Sequence, residues 1–264
     1  MVQAFIRHIL GIGDGKEGLF GKTDAYYGMV EQQGRLTLHL HILLWIAGSP
    51  SPQQIRDRLI SGDVDFQNAL IQYLETVHTG DFLTGTKEDV KERIQASDGN
   101  ADPTLCLPPL PPDTCEHEDS FTEDCDACRK IVAWYEEFKR EVDDLLFRSN
   151  LHTCRASSKE TGNTNGPKGC LSRDGQCAAR FPRELFEQTI VDLCDGHIDL
   201  KKLEPMMNTI APLITYAMRS NTDCTCLLSG TAIKSVIIYV TDYVVKQTLK
   251  THQLFATAND ILRK

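Results

Sequence analysis

The stretch "GRLTLHLHILLW", residues 34–45, decides how this chain is read, because it sets His39 and His41 two residues apart inside a run of leucines. In an extended strand alternate side chains share a face. Counting back by twos from His41 puts His39, Thr37, Arg35, Gln33 and Glu31 on one side, and Leu36, Leu38, Leu40 and Ile42 on the other. A slip of one residue would bury the charged set, so the register is strongly specified. Two neutral imidazoles about 7 Å apart along the backbone can converge on one ion. With Glu31 or Gln33 as an oxygen donor, the set forms a mixed N/O site that suits Mn²⁺ or Mg²⁺ better than a closed zinc cage. The same alternation also describes polar residues on the wet side of a half-buried strand, and spacing alone leaves both readings open.

Around this stretch, residues 25–46 read as two strand-like pieces, with Gly28 and Gly34 as bulge or turn positions. Upstream, Val2, Phe5, Ile6, Ile9 and Leu10 have helical spacing and run into a Gly-rich turn. Downstream, "GSPSPQQIRDRL" offers a Ser cap and a Pro before a helix to about Leu59, and a second helical pattern covers Val64 to His78. The Gly-rich turn invites two cofactor motifs, and both fail. "GDGKEG" is not followed by an uninterrupted apolar helix, and "GLFGKT" has the wrong glycine spacing for a phosphate-binding loop.

The longest apolar runs fall far short of the roughly 20 residues of a membrane span, and the N-terminus lacks a secretory signal pattern. An intracellular protein with no membrane partner is therefore expected. In that compartment ten cysteines are thiols or metal ligands rather than disulfides. Cys125-x-x-Cys128 is followed by His152 and Cys154 and then by Cys170 and Cys177, in the grammar of a structural zinc site. Six candidates for four positions leave the ligand set undecided. Cys224 and Cys226 alternate on an expected strand, "DCTCLLSG", and read as free thiols.

The net charge of −9 argues against a uniformly basic nucleic-acid face. The charge is uneven, however: residues 113–126 hold seven acidic residues and no Lys or Arg, whereas 168–183 and 234–264 are net basic. A Pro-rich stretch at 103–114 marks the clearest boundary. It divides the chain into 1–102, a linker at 103–124, a Cys/His-rich part at 125–183 that opens with a helix from Cys125 to Phe147, and 184–264. In the last part Tyr239 and Tyr243 stand four residues apart, with Lys246 three further on. The phenols share a face in a helix or a strand. β-Branching in "VIIYVTDYVV" favours strand, and a final helix is expected from Gln253 to Leu262.

Taken together, "GLFGKTDAYYGMVEQQGRLTLHLHILLWI", "CDAC", "SNLHTC", "CAARFPRE" and "RSNTDCTCLLSGTAIKSVIIYVTDYVVKQTLKTH" resemble the HUH-type replication-initiator, helicase-like N-terminal domain of Helitron transposases, along essentially the whole chain. The resemblance implies an α/β (α+β) fold: an antiparallel central sheet carrying the His-x-His strand, flanked by helices, with a Cys-rich zinc-binding insertion. It turns the tyrosine segment into a helix. It implies metal-dependent nicking and strand transfer of single-stranded DNA through a 5′-phosphotyrosine link, in rolling-circle transposition. His39 and His41 with Glu31 or Gln33 would hold Mg²⁺ or Mn²⁺. Tyr239 and Tyr243, aided by Lys246, would carry the chemistry, and Arg35, Lys246 and Lys250 would meet DNA. A nuclear location follows from the same resemblance. The family's upstream strand motif and its ATP-driven helicase domain are not in this sequence, so a truncated chain without helicase activity is expected. The alternative is a catalytically silent, zinc-stabilised DNA-binding or interaction remnant.

Overall fold

The computed structural model describes residues 2–13, 15–32, 38–97, 102–115, 117, 122, 124–156, 169–172 and 174–245, with the backbone alone at 32, 231 and 239–245. It combines helices with two small antiparallel sheets. The chain divides into two compact units, Met1–Ser61 with Leu227–Lys264, and Gly62–Cys226. The Pro-rich stretch thus lies inside the second unit.

In the first unit, α1 (Val2–Ala4) passes into a π-helical turn, Phe5–Ile9. Phe5, Ile6 and Leu10 are buried, as their spacing predicts. The glycines that follow serve packing. Gly11 has φ +66°, and a Cβ on Gly18 would stand 2.3 Å from the Leu10 carbonyl carbon. Gly18 and Gly21 also exchange backbone hydrogen bonds of 3.2 and 3.0 Å, closing a tight turn in place of a phosphate cradle. Strand β1 (Thr23–Gln32) pairs antiparallel with β2 (Leu38–Ile46). Residues 33–37 between them lie outside the described residues. The expected central sheet is therefore corrected: this sheet has two strands among the described residues, so neither is central. Helix α2 (Pro52–Ile60) starts at Ser51, whose side chain accepts from the Gln54 N–H while Gln54 returns a bond to the Ser51 N–H, a full capping box.

Helix α7 (Gly230–Val245) carries the tyrosine segment. The Ser229 hydroxyl accepts from the Ala232 N–H at 3.1 Å and starts the helix. Strand propensity yields here because propensity is a weak local preference that context overrides.

The second unit is built on α5 (Asp126–Ser149), which packs against α4 (Lys87–Ala96), a 3₁₀ turn at Pro103–Leu105 and α6 (Pro212–Met218). Phe138, Val142 and Leu146 follow helical spacing and meet Phe82, Val90, Met207, Ile210 and Tyr216 in the core. One charge enters this core. The fully buried Asp143 accepts from the Leu83 and Thr84 N–H groups at 2.7 and 2.9 Å and from the Thr84 hydroxyl, with Arg93 3.6 Å away. Helix α3 (Val64–Val77) is capped by the Asp63 carboxylate. Strands β3 (Ile190–Asp192) and β4 (His197–Asp199) form a short hairpin. The expected strand at "DCTCLLSG" is corrected. Cys224 is held by bonds to Thr209, from its N–H to the carbonyl at 2.9 Å and to its own carbonyl from the hydroxyl at 2.6 Å, and among the described residues no ladder follows.

Candidate metal centres

Two groups of four ligating side chains occur among the described residues, each with its ligand atoms within 4.8 Å of one another. The first joins Cys115, His117, Cys125 and Cys128. The Cys115 and Cys128 sulfurs are 3.4 Å apart, and Cys128 Sγ lies 3.8 Å from His117 Nδ1. The second joins His152, Cys154, Cys170 and Cys177, with His152 Nε2 3.3 Å from both the Cys170 and Cys177 sulfurs. No sulfur pair is bonded; all ten cysteines are free thiols. A tetrahedral zinc with Zn–S near 2.3 Å and Zn–N near 2.0 Å requires ligand–ligand edges of about 3.4 to 3.8 Å. Contacts of 3.3 to 3.8 Å within the two clusters come close to those edges.

The local structure shows how each set is assembled. Cys125 is the N-cap of α5 and Cys128 sits in its first turn, so the Cys-x-x-Cys spacing brings both sulfurs to one helix end. His152 follows the other end of α5, where its N–H donates to the Met206 carbonyl at 2.7 Å and its ring stacks on Phe181. Cys170 is tied to the same loop by the Arg155 N–H, which donates to its sulfur at 3.3 Å.

Crowding sulfurs without a cation splits their acidities. The Cys125 thiol is drawn down to about 7, chiefly by the Cys128 backbone N–H. Burial and the neighbouring Cys177 and Cys170 sulfurs push Cys154 up to about 11. For Cys177, burial opposes ionisation, but the Phe181 and Ala179 N–H groups and the adjacent thiols bring the net shift down. A central dication removes this conflict by stabilising all the thiolates at once.

The six candidates from sequence are thus brought together as two and four. Cys125 and Cys128 do not join His152; they take Cys115 and His117, which sequence reading had left inside the linker. The signal for them was present in "CEHEDSFTEDCDAC", a Cys-x-His followed by the Cys-x-x-Cys.

Neither cluster includes His39 or His41. Both lie on β2, where Glu31 pairs directly with His39 and Met29 with His41. Paired residues of an antiparallel ladder share a face. Glu31 and the two histidines therefore lie together through pairing across two strands, not through alternation along one. The His41 Nε2 to Glu31 Oε2 distance is 3.5 Å, with both side chains about one quarter exposed. Tyr239 and Tyr243 stand one turn apart on the α7 backbone, within the same compact unit as this hairpin. Gln33, Arg35, Lys246, Lys250 and the expected helix at 253–262 lie outside the described residues.

No described helix is long and apolar enough to cross a membrane. Among protein families, residues 1–44 match the Helitron helicase-like domain at the N-terminus. That match ends within β2 and contains Glu31, His39 and His41. No curated protein and no solved structure matches the chain.

Proposed function

We propose that this Helitron-related chain nicks single-stranded DNA and transfers the cut strand, using a divalent ion on the β1–β2 hairpin and the tyrosines of α7. The observation that carries the reading is the placement of Glu31, His39 and His41 on one hairpin face, inside the stretch that matches the Helitron domain. A separation of 3.5 Å between His41 Nε2 and Glu31 Oε2 is close to what two ligands of one ion span, about 3 to 3.5 Å. His39 and His41 are the nitrogen donors, with Glu31 or Gln33 as the oxygen donor. Mg²⁺ or Mn²⁺ held there supplies Lewis-acid polarisation of the scissile phosphate.

The Oη of Tyr239 or Tyr243 attacks phosphorus, the P–O3′ bond breaks, and the phenol proton leaves for solvent as the 3′-oxygen is protonated. The product is a 5′-phosphotyrosine and a free 3′-OH. The second tyrosine serves the transfer step. The phosphodiester bond energy is kept in the covalent link, so no nucleotide is consumed. Lys246 favours the ionised phenol, and Arg35, Lys246 and Lys250 neutralise DNA phosphates. A nuclear site of action follows from the Helitron resemblance.

The test is incubation of the purified chain with Mn²⁺ and single-stranded oligonucleotides. A denaturation-resistant adduct is expected, and it disappears in the Tyr239→Phe/Tyr243→Phe double variant and in His39→Ala/His41→Ala. An adduct that survives the double tyrosine substitution sinks the assignment. A second reading, a silent zinc-stabilised DNA-binding or interaction remnant, draws on the absence of His39 and His41 from both tight ligand groups among the described residues. It predicts no cleavage, with weak oligonucleotide binding that falls steeply with salt. Any cleavage by the chain rejects it.

A further inference from the structure

We propose that the second unit binds two zinc ions at two independent structural sites, one clasping each end of α5. The two zinc sites stand whether or not the first unit cuts DNA. Sequence reading points to one site chosen from six ligands. Geometry forbids any such mixed site. Cys128 is in the first turn of α5 and His152 lies just past its last residue. A 24-residue helix spans about 36 Å. No ion bridges that distance, so the Cys-x-x-Cys at one end needs ligands other than His152 and the cysteines after it.

The structure assigns those ligands to Cys115 and His117. The approach of Cys115 Sγ to Cys128 Sγ at 3.4 Å is too long for a disulfide, which requires about 2.05 Å. It comes within about 0.4 Å of the roughly 3.8 Å that separates two thiolates on a common zinc. Cys125 and Cys128 supply the helix half of the site, and Cys115 and His117 supply the strap half. At the other end, Cys154, Cys170 and Cys177 converge on His152 Nε2 and pin the loop that follows the helix. Each site has three sulfurs and one imidazole. Four protein ligands leave no open position for water, so both are structural centres rather than catalytic ones.

The closing experiment uses the full chain purified in the presence of zinc, with metal measured per chain by mass spectrometry of the elements. Two zinc ions per chain are expected. Cys128→Ser and Cys177→Ser each lower the ratio to one, the two together abolish it, and Cys106→Ser, outside both clusters, leaves two. A wild-type ratio of one, or loss of both ions on either single substitution, overturns the proposal. A cobalt titration of the zinc-stripped wild-type chain guards against a variant that fails to fold. Its sulfur-to-metal absorption is expected to saturate at two equivalents; saturation at one overturns the two-site assignment.

Discussion

His78 ends α3 with its side chain buried and its Nε2 without a hydrogen-bond partner. Burial holds its pKa below the ordinary imidazole value, against a smaller opposing effect of backbone hydrogen bonds. The native state therefore keeps the ring neutral, while the unfolded chain takes up a proton near pH 6.5. Stability from this group is complete above pH 6.5 and is lost as the pH falls from there toward the depressed native value. Urea midpoints measured from pH 7.5 down to 5 are expected to decline, and His78→Leu flattens the decline; an unchanged slope in that variant removes His78 as its cause. Thiols differ as sharply from one another. Burial raises Cys224 to about 12 and Cys226 to about 11, whereas Cys106 and Cys194 are exposed. Iodoacetamide at pH 8, read by peptide mass spectrometry, is expected to label the exposed Cys106 and Cys194 first and the half-buried Cys224 and Cys226 more slowly. Reading Cys224 and Cys226 as free thiols needs only the sequence, but their burial comes from contacts that no spacing encodes.

At the scale of elements, α5 organises the second unit because its apolar stripe supplies much of the core. Leu146 is fully buried there. Leu146→Ala is expected to cost about 2 to 5 kcal/mol, since the site loses both burial and packing. A urea midpoint within 0.2 M of wild type, at a typical slope of roughly 1 to 3 kcal/mol per M, would show the core to be looser than described. The helix ends behave differently. On the two-site proposal zinc ties Cys115 to Cys128 and Cys177 to His152, so a zinc chelator is expected to open new protease cuts between 103 and 125 and between 150 and 180. Cuts inside α5 at the same chelator concentration would show that the metal holds the whole helix instead. Helices α2, α3 and α5 were legible from apolar periodicity and caps such as Ser51. Helices α4 and α6 were not, because α4 buries only Val90 and α6 is seven residues long.

For the molecule as a whole, the second unit contains its own core and all eight Cys/His ligands between Gly62 and Cys226. That span is expected to fold alone, with a cooperative melt and two zinc ions; a fragment that stays unfolded with zinc present would show that it needs the flanking segments. The first unit draws on both ends of the chain, so the histidines and the tyrosines, two hundred residues apart in sequence, share one compact unit. What depends on local periodicity was legible along the chain. The alternation put His39 and His41 on one face, because period two is a property of extended backbone. The Cys-x-x-Cys marked two ligands able to share one ion, because that spacing brings both sulfurs to one helix end. Only the tertiary structure decided the rest. Glu31 reaches the histidines across a hairpin, because antiparallel pairing places it opposite His39. The cysteines part into two clusters, because a rigid helix stands between them, and distance through space, which a one-dimensional spacing cannot express, selects the ligands of an ion.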